Sequence, residues 1–102
     1  MRHPDDFVSR VIGVVESIPP GRVMTYGDVA AAIGSRGARA VGGVLAHYGS
    51  TLPWWRVIRA SGHPAAGHEA EALERLRVEG TPLAPSSRGA RVRLDAARYT
   101  PE

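Results

Sequence analysis

Apolar residues recur with helical spacing near the start of the chain and again after a short, turn-rich break. In the first segment they form one wide face of a predicted helix. Asp5 and Asp6 precede that face, where the partial positive charge of a helix N-terminus favours acidic side chains. The stretch "PPGR", residues 19–22, carries strong turn signals, so the helix is predicted to end there. The apolar face consists of Phe7, Val8, Val11, Ile12, Val14, Val15 and Ile18.

The stretch "TYGDVAAAIG", residues 25–34, predicts a second helix with a clear beginning and end. Thr25 is a typical N-cap, and Asp28 three residues later completes a capping-box pattern. Gly34 is typical of a helix C-terminus. After the short "SRG" turn, "ARAVGGVLAH" predicts a third helix over residues 38–47, so the two helices form a helix-turn-helix motif.

Two adjacent glycines, Gly42 and Gly43, lie inside the third predicted helix. Each costs about 1 kcal/mol relative to alanine at such a position, so each needs a compensating reason. One explanation is tight helix packing in the core. The other is a helix backbone that approaches a second surface closely, such as a groove of nucleic acid. The sequence leaves both explanations open.

The second half of the chain alternates loops with short regular segments. "YGSTLPWW" is predicted to be a loop, "RVIRAS" a strand, "GHPAAGH" a turn-rich loop and "EAEALERLRVEG" an amphipathic helix capped by Gly80. The solvated face of that helix is interpreted as Glu69, Glu71, Glu74 and Glu79. The alternating "ARVRL" predicts a small hairpin or wing, followed by a loose end. We therefore expect a single, mainly α-helical domain over residues 1–102, with a small β wing: a winged-helix-like domain containing a helix-turn-helix.

The basic charge makes nucleic acid a candidate partner, and the alternative is that the all-arginine composition reflects only a biased genome. The net charge is +3, and all 13 basic residues are arginine, whose guanidinium group suits phosphates and base edges. Cysteine is absent, which excludes disulfides, thiolate nucleophiles and cysteine-based zinc sites. The sequence has no apolar run long enough to span a membrane and no apolar signal-peptide core at its start. We expect a cytoplasmic protein with no membrane partner.

The polar residues do not form a recognisable active site. His63 and His68 flank a loop, but two histidines without a carboxylate signature are more typical of a protein surface than of a metal site. Ser61 precedes Gly62 outside any Gly-x-Ser-x-Gly motif, and no glycine-rich phosphate loop follows a strand. These observations favour a binding protein without metal or cofactor over an enzyme.

Candidate binding residues lie in the helix-turn-helix and around two adjacent tryptophans. Arg36 and Arg39 fall at the start of the second helix of the motif and Tyr26 opens the first, where such motifs meet a duplex. The alternative is that both arginines are ordinary solvated charges. Trp54 and Trp55 are interpreted either as a core plug or as an aromatic wall for a base taken out of the stack.

Three motifs in this order resemble the DNA-binding domain of the O6-alkylguanine-DNA alkyltransferases: "GRVMTYGDVAAAIG", "ARAVGG" and "PWWRVIRASG". The resemblance extends from about Phe7 to Tyr99. In that family a Pro-Cys-His-Arg-Val motif carries the cysteine that accepts the alkyl group. Here Trp54 stands at the cysteine position, as in the alkyltransferase-like proteins, and Trp55 replaces the usual histidine.

The resemblance implies how the domain would meet DNA. The second helix of the helix-turn-helix would enter the minor groove, Arg39 would fill the space left by a flipped guanine, and Tyr26 would crowd the adjacent phosphate. The implied DNA-binding residues are Thr25, Tyr26, Arg36, Ala38, Arg39, Gly42 and Gly43. The implied lesion pocket consists of Tyr26, Pro53, Trp54, Trp55, Val57 and Ser61.

Some relatives hold the flipped base with a basic side chain in the loop after the strand. Here "GHPAAGH" offers only His63 and His68, with Arg59 as an alternative. The implied function is non-enzymatic recognition of O6-alkylguanine in double-stranded DNA, which flags the lesion for nucleotide excision repair proteins. We expect a monomer without catalytic residues. The alternative function is a winged-helix transcription regulator that binds undamaged DNA.

Overall fold

The first helix begins and ends where the sequence predicts. The computed structural model describes residues 6–101, so Asp5 lies outside the described residues. Helix α1 spans Phe7–Ser17, and the Asp6 carboxylate caps it by accepting a hydrogen bond from the Ser9 backbone N–H at 2.7 Å. The turn that follows reverses at Gly21, whose φ of +86° lies in the left-handed region that favours glycine.

The helix-turn-helix predicted from the sequence is confirmed. Helix α2 spans Tyr26–Ala32, and helix α3 spans Ala38–Tyr48. At the start of α2 the Thr25 hydroxyl accepts from the Asp28 N–H at 3.0 Å, and the Asp28 carboxylate accepts from the Thr25 N–H at 3.2 Å. This reciprocal capping box fixes the position of Tyr26 at the first turn of α2.

The predicted strand around the tryptophan motif is shorter than expected. Strand β2 contains only Val57–Ile58 and pairs in parallel with β1, Met24–Thr25. Both residues of each strand are buried, so neither strand shows the alternating pattern that identifies a half-exposed strand. The preceding loop contains two turns of 3-10 helix, at Gly49–Thr51 and Trp54–Arg56.

The fourth helix and the wing complete the predicted elements. Helix α4 spans Glu69–Val78. The wing is the antiparallel pair of β3, Leu83–Ser86, and β4, Gly89–Val92. The wing is held by Gly62, which accepts a hydrogen bond from the Val92 N–H at 2.8 Å. A Cβ at Gly62 would lie 2.8 Å from the Val92 carbonyl oxygen, and φ is +89°, so this contact requires glycine.

The prediction of a loose end after the wing is wrong. A short helix α5, Leu94–Ala97, follows β4, and Ala97 is fully buried. The Val23 N–H donates to the Ala97 carbonyl at 2.9 Å, and the Tyr99 N–H donates to the Val23 carbonyl at 2.8 Å. These bonds join segments more than 70 residues apart, and the local sequence pattern does not contain that pairing.

The apolar residues form two adjacent clusters. The larger one lies between α1, α2 and α3 and includes Met24 and Val57 from the parallel strand pair. The smaller one joins α4 to the wing and to α5. The tryptophan motif lies at the junction, because Trp54 packs against the larger cluster and Trp55 against the smaller one. Among residues 6–101, no helix is long and apolar enough to cross a membrane.

Candidate nucleic-acid interface

A cavity of about 1180 Å³ opens between the helix-turn-helix, the tryptophan motif and the loop before α4. Its volume exceeds the range of about 300–1,000 Å³ that is typical of small-molecule pockets, so a nucleobase with a substituent fits inside. The predicted site residues that line it are Tyr26, Ala38, Arg39, Gly42 and Trp54. The loop before α4 and its flanking residues also line it: Arg59, Ala65, Ala66, His68 and Glu71.

Trp54 presents its ring to this cavity from a turn of 3-10 helix. Its backbone N–H donates to the Leu52 carbonyl at 2.7 Å, which tightens the turn. The ring meets His68 edge-on, with centroids 5.7 Å apart and an interplanar angle of 65°. Part of the indole packs against the larger apolar cluster. Trp54 therefore supplies a fixed aromatic wall that is open to a ligand on the cavity side.

Tyr26 lies at the first turn of α2, on the same cavity. Burial raises the pKa of its phenol above the usual value of 10.0, although the positive charge of Arg59 opposes the shift. The hydroxyl therefore stays protonated at neutral pH and can donate a hydrogen bond. A Cβ built on Gly42 would lie 3.9 Å from the Tyr26 ring, which is ordinary van der Waals contact.

The two arginines of the helix-turn-helix have different positions. Arg39 is the second residue of α3, is exposed and lines the cavity. Arg36 is also exposed, but it lies in the turn between the helices and does not line the cavity. Neither has an ion-pair partner within residues 6–101. Arg39 is thus an exposed cation on the cavity with no ion-pair partner in the described part of the chain, and Arg36 is another exposed cation in the same motif.

The paired glycines of α3 are not explained by tight packing. A Cβ on Gly42 would make only an ordinary contact, and a Cβ on Gly43 would meet no atom within 4 Å. Gly43 is exposed. Within residues 6–101, its small size therefore allows no tighter packing that would offset the lower helix stability of glycine. Packing within residues 6–101 therefore does not account for these glycines, and close approach of an outside surface stays a prediction.

Several residues of the predicted lesion pocket do not line the cavity. Pro53 and Trp55 line a separate groove of about 490 Å³. Val57 is fully buried in the larger cluster. Ser61 is exposed and bonds through its hydroxyl to Nδ1 of His63 at 2.9 Å. The split arises because consecutive residues of a 3-10 helix point about 120° apart, so Trp54 and Trp55 cannot share one wall.

Glu79 holds Trp55 through a hydrogen bond. The prediction that Glu79 belongs to the solvated face of the fourth helix is therefore wrong. The Trp55 indole N–H donates to Oε2 of Glu79 at 3.1 Å, and Arg56 Nε donates to Oε1 at 3.0 Å. The Arg56 and Glu79 side chains are each only 13% exposed. The Arg75 guanidinium stacks on the Trp55 ring, 4.5 Å from its centroid. These contacts give Trp55 a structural role between the tryptophan motif and α4.

Burial raises the pKa of Glu79, but the hydrogen bonds from Arg56 and Trp55, the charge of Arg56 and the Gly21 N–H outweigh it. The net pKa of the carboxyl group lies below its ordinary value of 4.5, so Glu79 is ionised at neutral pH. Arg56 also donates through Nη1 to the Ile18 carbonyl at 2.9 Å. The ion pair thus joins the end of α1 to the end of α4.

Arg59 lines the cavity, although the sequence offered it only as an alternative to His63 and His68. It follows β2 directly, donates through Nε to the Pro64 carbonyl at 2.8 Å, and lies 3.4 Å from Oε2 of Glu69. The signal was weak because Val57 and Ile58 are both buried, so alternation along the strand does not show which way the next side chain points.

The loop histidines do not come together as a metal site. His68 lines the cavity. His63 joins the loop to the wing, with Nδ1 2.9 Å from the Ser61 hydroxyl and Nε2 3.1 Å from the Ser86 hydroxyl. Within residues 6–101, no group of three or more histidine or acidic side chains is placed to hold a metal ion.

Thr25, one of the residues predicted to bind DNA, is buried as the cap of α2.

Comparison with known proteins agrees with this geometry. Residues 6–81 match the family described as 6-O-methylguanine DNA methyltransferase, DNA binding domain. A DNA base-flipping protein of Escherichia coli strain K12 is 54% identical over 65 residues, which cover 61% of this chain and 50% of that protein. The match thus spans about half the length of that relative.

Two further comparisons extend over most of the chain. Alkyltransferase-like protein 1 of Schizosaccharomyces pombe is 34% identical over 92 residues, which cover 83% of this chain and 85% of that protein. The crystal structure of S. pombe Atl1 in complex with damaged DNA containing O6-carboxymethylguanine superposes with a TM-score of 0.82 and 32% identity. That superposition covers 99% of this chain and all of the other, so the whole described fold is shared.

Proposed function

The chain belongs to the family of the 6-O-methylguanine DNA methyltransferase DNA-binding domain, and we propose that it recognises O6-alkylguanine in double-stranded DNA without repairing it. One observation carries the proposal: a cavity large enough for a modified base lies beside the exposed start of α3, with Trp54 as its wall. The similar proteins include a DNA base-flipping protein and one solved with damaged DNA, which supports the same conclusion.

The start of α3 would be the surface that meets the duplex. Gly43 is exposed with open space around it, and Gly42 is only lightly covered by Tyr26, so the helix backbone can come close to a groove. The exposed guanidinium groups of Arg36 and Arg39 would contact phosphates. We propose that α3 enters the minor groove, in accord with the family resemblance.

Extrusion of the damaged base would be favoured by Arg39. Taking a base out of the stack costs a few kcal/mol, and less when the base pairs poorly. An O6-alkyl group removes normal pairing of guanine, so the lesion is the base that leaves most readily. Because Arg39 is exposed, lines the mouth of the cavity and has no ion-pair partner within residues 6–101, it can move into the gap that the base leaves.

The extruded base would be held by the cavity walls. Trp54 offers an aromatic face on which a purine can pack, and base–aromatic stacking contributes about 1–3 kcal/mol per base. The protonated Tyr26 hydroxyl can donate to a phosphate or base acceptor at the entrance. These contacts do not depend on the neighbouring sequence, so binding is expected at lesions in many sequence contexts.

The chemistry ends at binding because the chain has no cysteine. In the enzymes that it resembles, a thiolate accepts the alkyl group, and indole is not a nucleophile of that kind. The lesion therefore persists in the complex. We propose that the complex marks the site for nucleotide excision repair proteins, which can remove a lesion that direct reversal has left.

A fluorescent base analogue tests the extrusion step. 2-Aminopurine placed next to O6-methylguanine brightens when its neighbour leaves the stack. The protein should increase this fluorescence on the lesion duplex and leave the matched guanine duplex unchanged. An equal response on both duplexes would contradict lesion-dependent base extrusion.

A further inference from the structure

We infer that Arg59 makes the cavity selective for O6 substituents that end in a negatively charged group, an inference that rests on the proposed function. Arg59 lines the cavity together with His68 and with Arg39 at the start of α3. Its side chain is 31% exposed, so the charge is partly withdrawn from water yet open to the cavity.

The side chain is positioned by its backbone contact. Nε donates to the Pro64 carbonyl at 2.8 Å, which fixes the direction of the guanidinium group. The second contact, from Nη2 to Glu69, is long at 3.4 Å. A guanidinium has five N–H donors, and these bonds use one on Nε and one on Nη2. Within residues 6–101, the other N–H groups of the Arg59 guanidinium make no hydrogen bond. Both terminal nitrogens can therefore donate to a ligand.

The charges around the cavity favour an anion there. Glu69 is 45% exposed, and an ion pair of this kind at the surface neutralises its partner only weakly. Glu71 lines the cavity but pairs with Arg75 at 3.3 Å. The charge of Arg59 also reaches Tyr26, whose pKa it lowers against the larger effect of burial.

The matching substituent is a carboxylate. A guanidinium and a carboxylate form paired, charge-assisted hydrogen bonds, which are about twice as strong as neutral ones. The attraction strengthens where water is excluded, as it would be once a base occupies the cavity. A methyl group offers no acceptor to Arg59, so this residue is expected to set preference among lesions without deciding recognition of the simplest one.

The test compares duplexes with O6-carboxymethylguanine and O6-carbamoylmethylguanine, which have the same shape and differ in charge. We expect the full chain to bind the carboxymethyl duplex about tenfold more tightly, the effect of one charge-assisted pair. Arg59→Gln should remove this preference, and Arg59→Lys should keep part of it because the charge remains. Arg88→Gln is the matched control, since it removes one exposed arginine at the tip of the wing, away from the cavity.

O6-methylguanine and guanine duplexes separate the two possible failures. Thermal unfolding of Arg59→Gln and Arg88→Gln shows whether both variants are folded, and the affinity of each variant for the O6-methylguanine duplex is the reference against which its carboxymethyl and carbamoylmethyl affinities are expressed. If the wild type binds the carboxymethyl and carbamoylmethyl duplexes equally, the role inferred for Arg59 is wrong. It is also wrong if Arg59→Gln still prefers the carboxymethyl duplex. If the wild type does not prefer O6-methylguanine to guanine, the proposed function fails and this inference fails with it.

Discussion

The rings of Trp54 and Trp55 stand perpendicular to one another, with centroids 6.0 Å apart and an interplanar angle of 86°. One ring lines the large cavity beside α3, and the other lines a separate groove beside α4. Their partners differ accordingly, since Trp54 meets His68 and Trp55 donates to Glu79. Two adjacent residues of one motif thus face different surroundings, since Trp54 lines the cavity and Trp55 supports the contact between the motif and α4.

Replacing Trp54 by alanine should reduce selectivity for the lesion more than affinity for DNA in general. The substitution removes the aromatic wall and leaves the arginines of the helix-turn-helix in place. We expect the preference for the lesion duplex to fall by about tenfold, within the energy of one stacked base. Equilibrium binding to lesion and undamaged duplexes at fixed salt measures this ratio.

Trp55→Phe is the companion variant for Trp54→Ala. It removes the indole N–H that bonds to Glu79 and keeps most of the ring. The free energy of unfolding should fall by about 1–2 kcal/mol, since the lost bond is made to a charged group. Its selectivity for the lesion should match that of the wild type. A large loss of selectivity in Trp55→Phe would contradict the division between the two tryptophans.

Glu79→Gln should destabilise the fold and change its response to acid. The folded-state pKa of Glu79 lies below 4.5, so its carboxylate stabilises the fold above that pH and loses this effect as pH falls through the folded-state pKa. Removing the charge should cost about 2 kcal/mol at neutral pH because Arg56 loses its anionic partner.

Urea unfolding between pH 7 and pH 3 measures this contribution. The wild type should lose stability below about pH 4.5, and Glu79→Gln should lose less over the same interval. Glu74→Gln is the control, because Glu74 is exposed in the middle of α4. Parallel pH curves for Glu79→Gln and the wild type would show that the ion pair does not stabilise the fold.

Gly43→Ala should make the protein more stable and a weaker DNA binder. A Cβ there meets nothing within 4 Å, so the helix gains about 1 kcal/mol from the better helix former. The same methyl group would stand between α3 and an approaching groove. Thermal unfolding and duplex binding measure the two effects on one sample.

Gly13→Ala provides a matched control for Gly43→Ala. Gly13 is also exposed within a helix and open to at least 4 Å, but it lies on α1 and does not line the cavity. Its substitution should stabilise the protein to a similar extent and leave affinity for DNA unchanged. Equal affinities of both variants and the wild type would show that the α3 backbone does not approach DNA closely.

Arg39→Ala should weaken binding to the lesion duplex by about tenfold or more, because the gap left by the base would no longer be filled. Arg36→Ala removes another exposed arginine from the same motif, one that does not line the cavity. Arg36→Ala should reduce affinity for lesion and undamaged duplexes alike. It should also reduce the slope of log affinity against log salt concentration by the amount expected for about one phosphate contact. If Arg39→Ala and Arg36→Ala change the affinities for the two duplexes in the same way, Arg39 does not fill the gap left by the base.

The helical part of the fold could be predicted because its signals are local. The Thr25 and Asp28 capping box and the glycine at position 34 fixed the boundaries of α2, and the structure confirms them. The end of the chain was harder, since the docking of Tyr99 on Val23 depends on a pairing between distant segments. The same limit applies to Glu79, whose partners Trp55 and Arg56 are more than 20 residues away.

The candidate site was predictable in its residue types and less so in its geometry. The family motifs identified Tyr26, Arg39 and Trp54, and these residues do line one cavity. Motif proximity also grouped Trp55 and Val57 with them, although one faces another groove and the other is buried in the core. Adjacent positions in a sequence share a wall only when the local backbone points them the same way, and a 3-10 turn does not.

The central claim is that this chain distinguishes O6-alkylguanine from guanine in duplex DNA. The most direct measurement is the ratio of two dissociation constants, for duplexes that differ only by O6-methylguanine at one position, at one stated salt concentration. We predict that the lesion duplex binds at least about tenfold more tightly, since the damaged base is cheaper to extrude. Equal dissociation constants for the two duplexes would contradict the account.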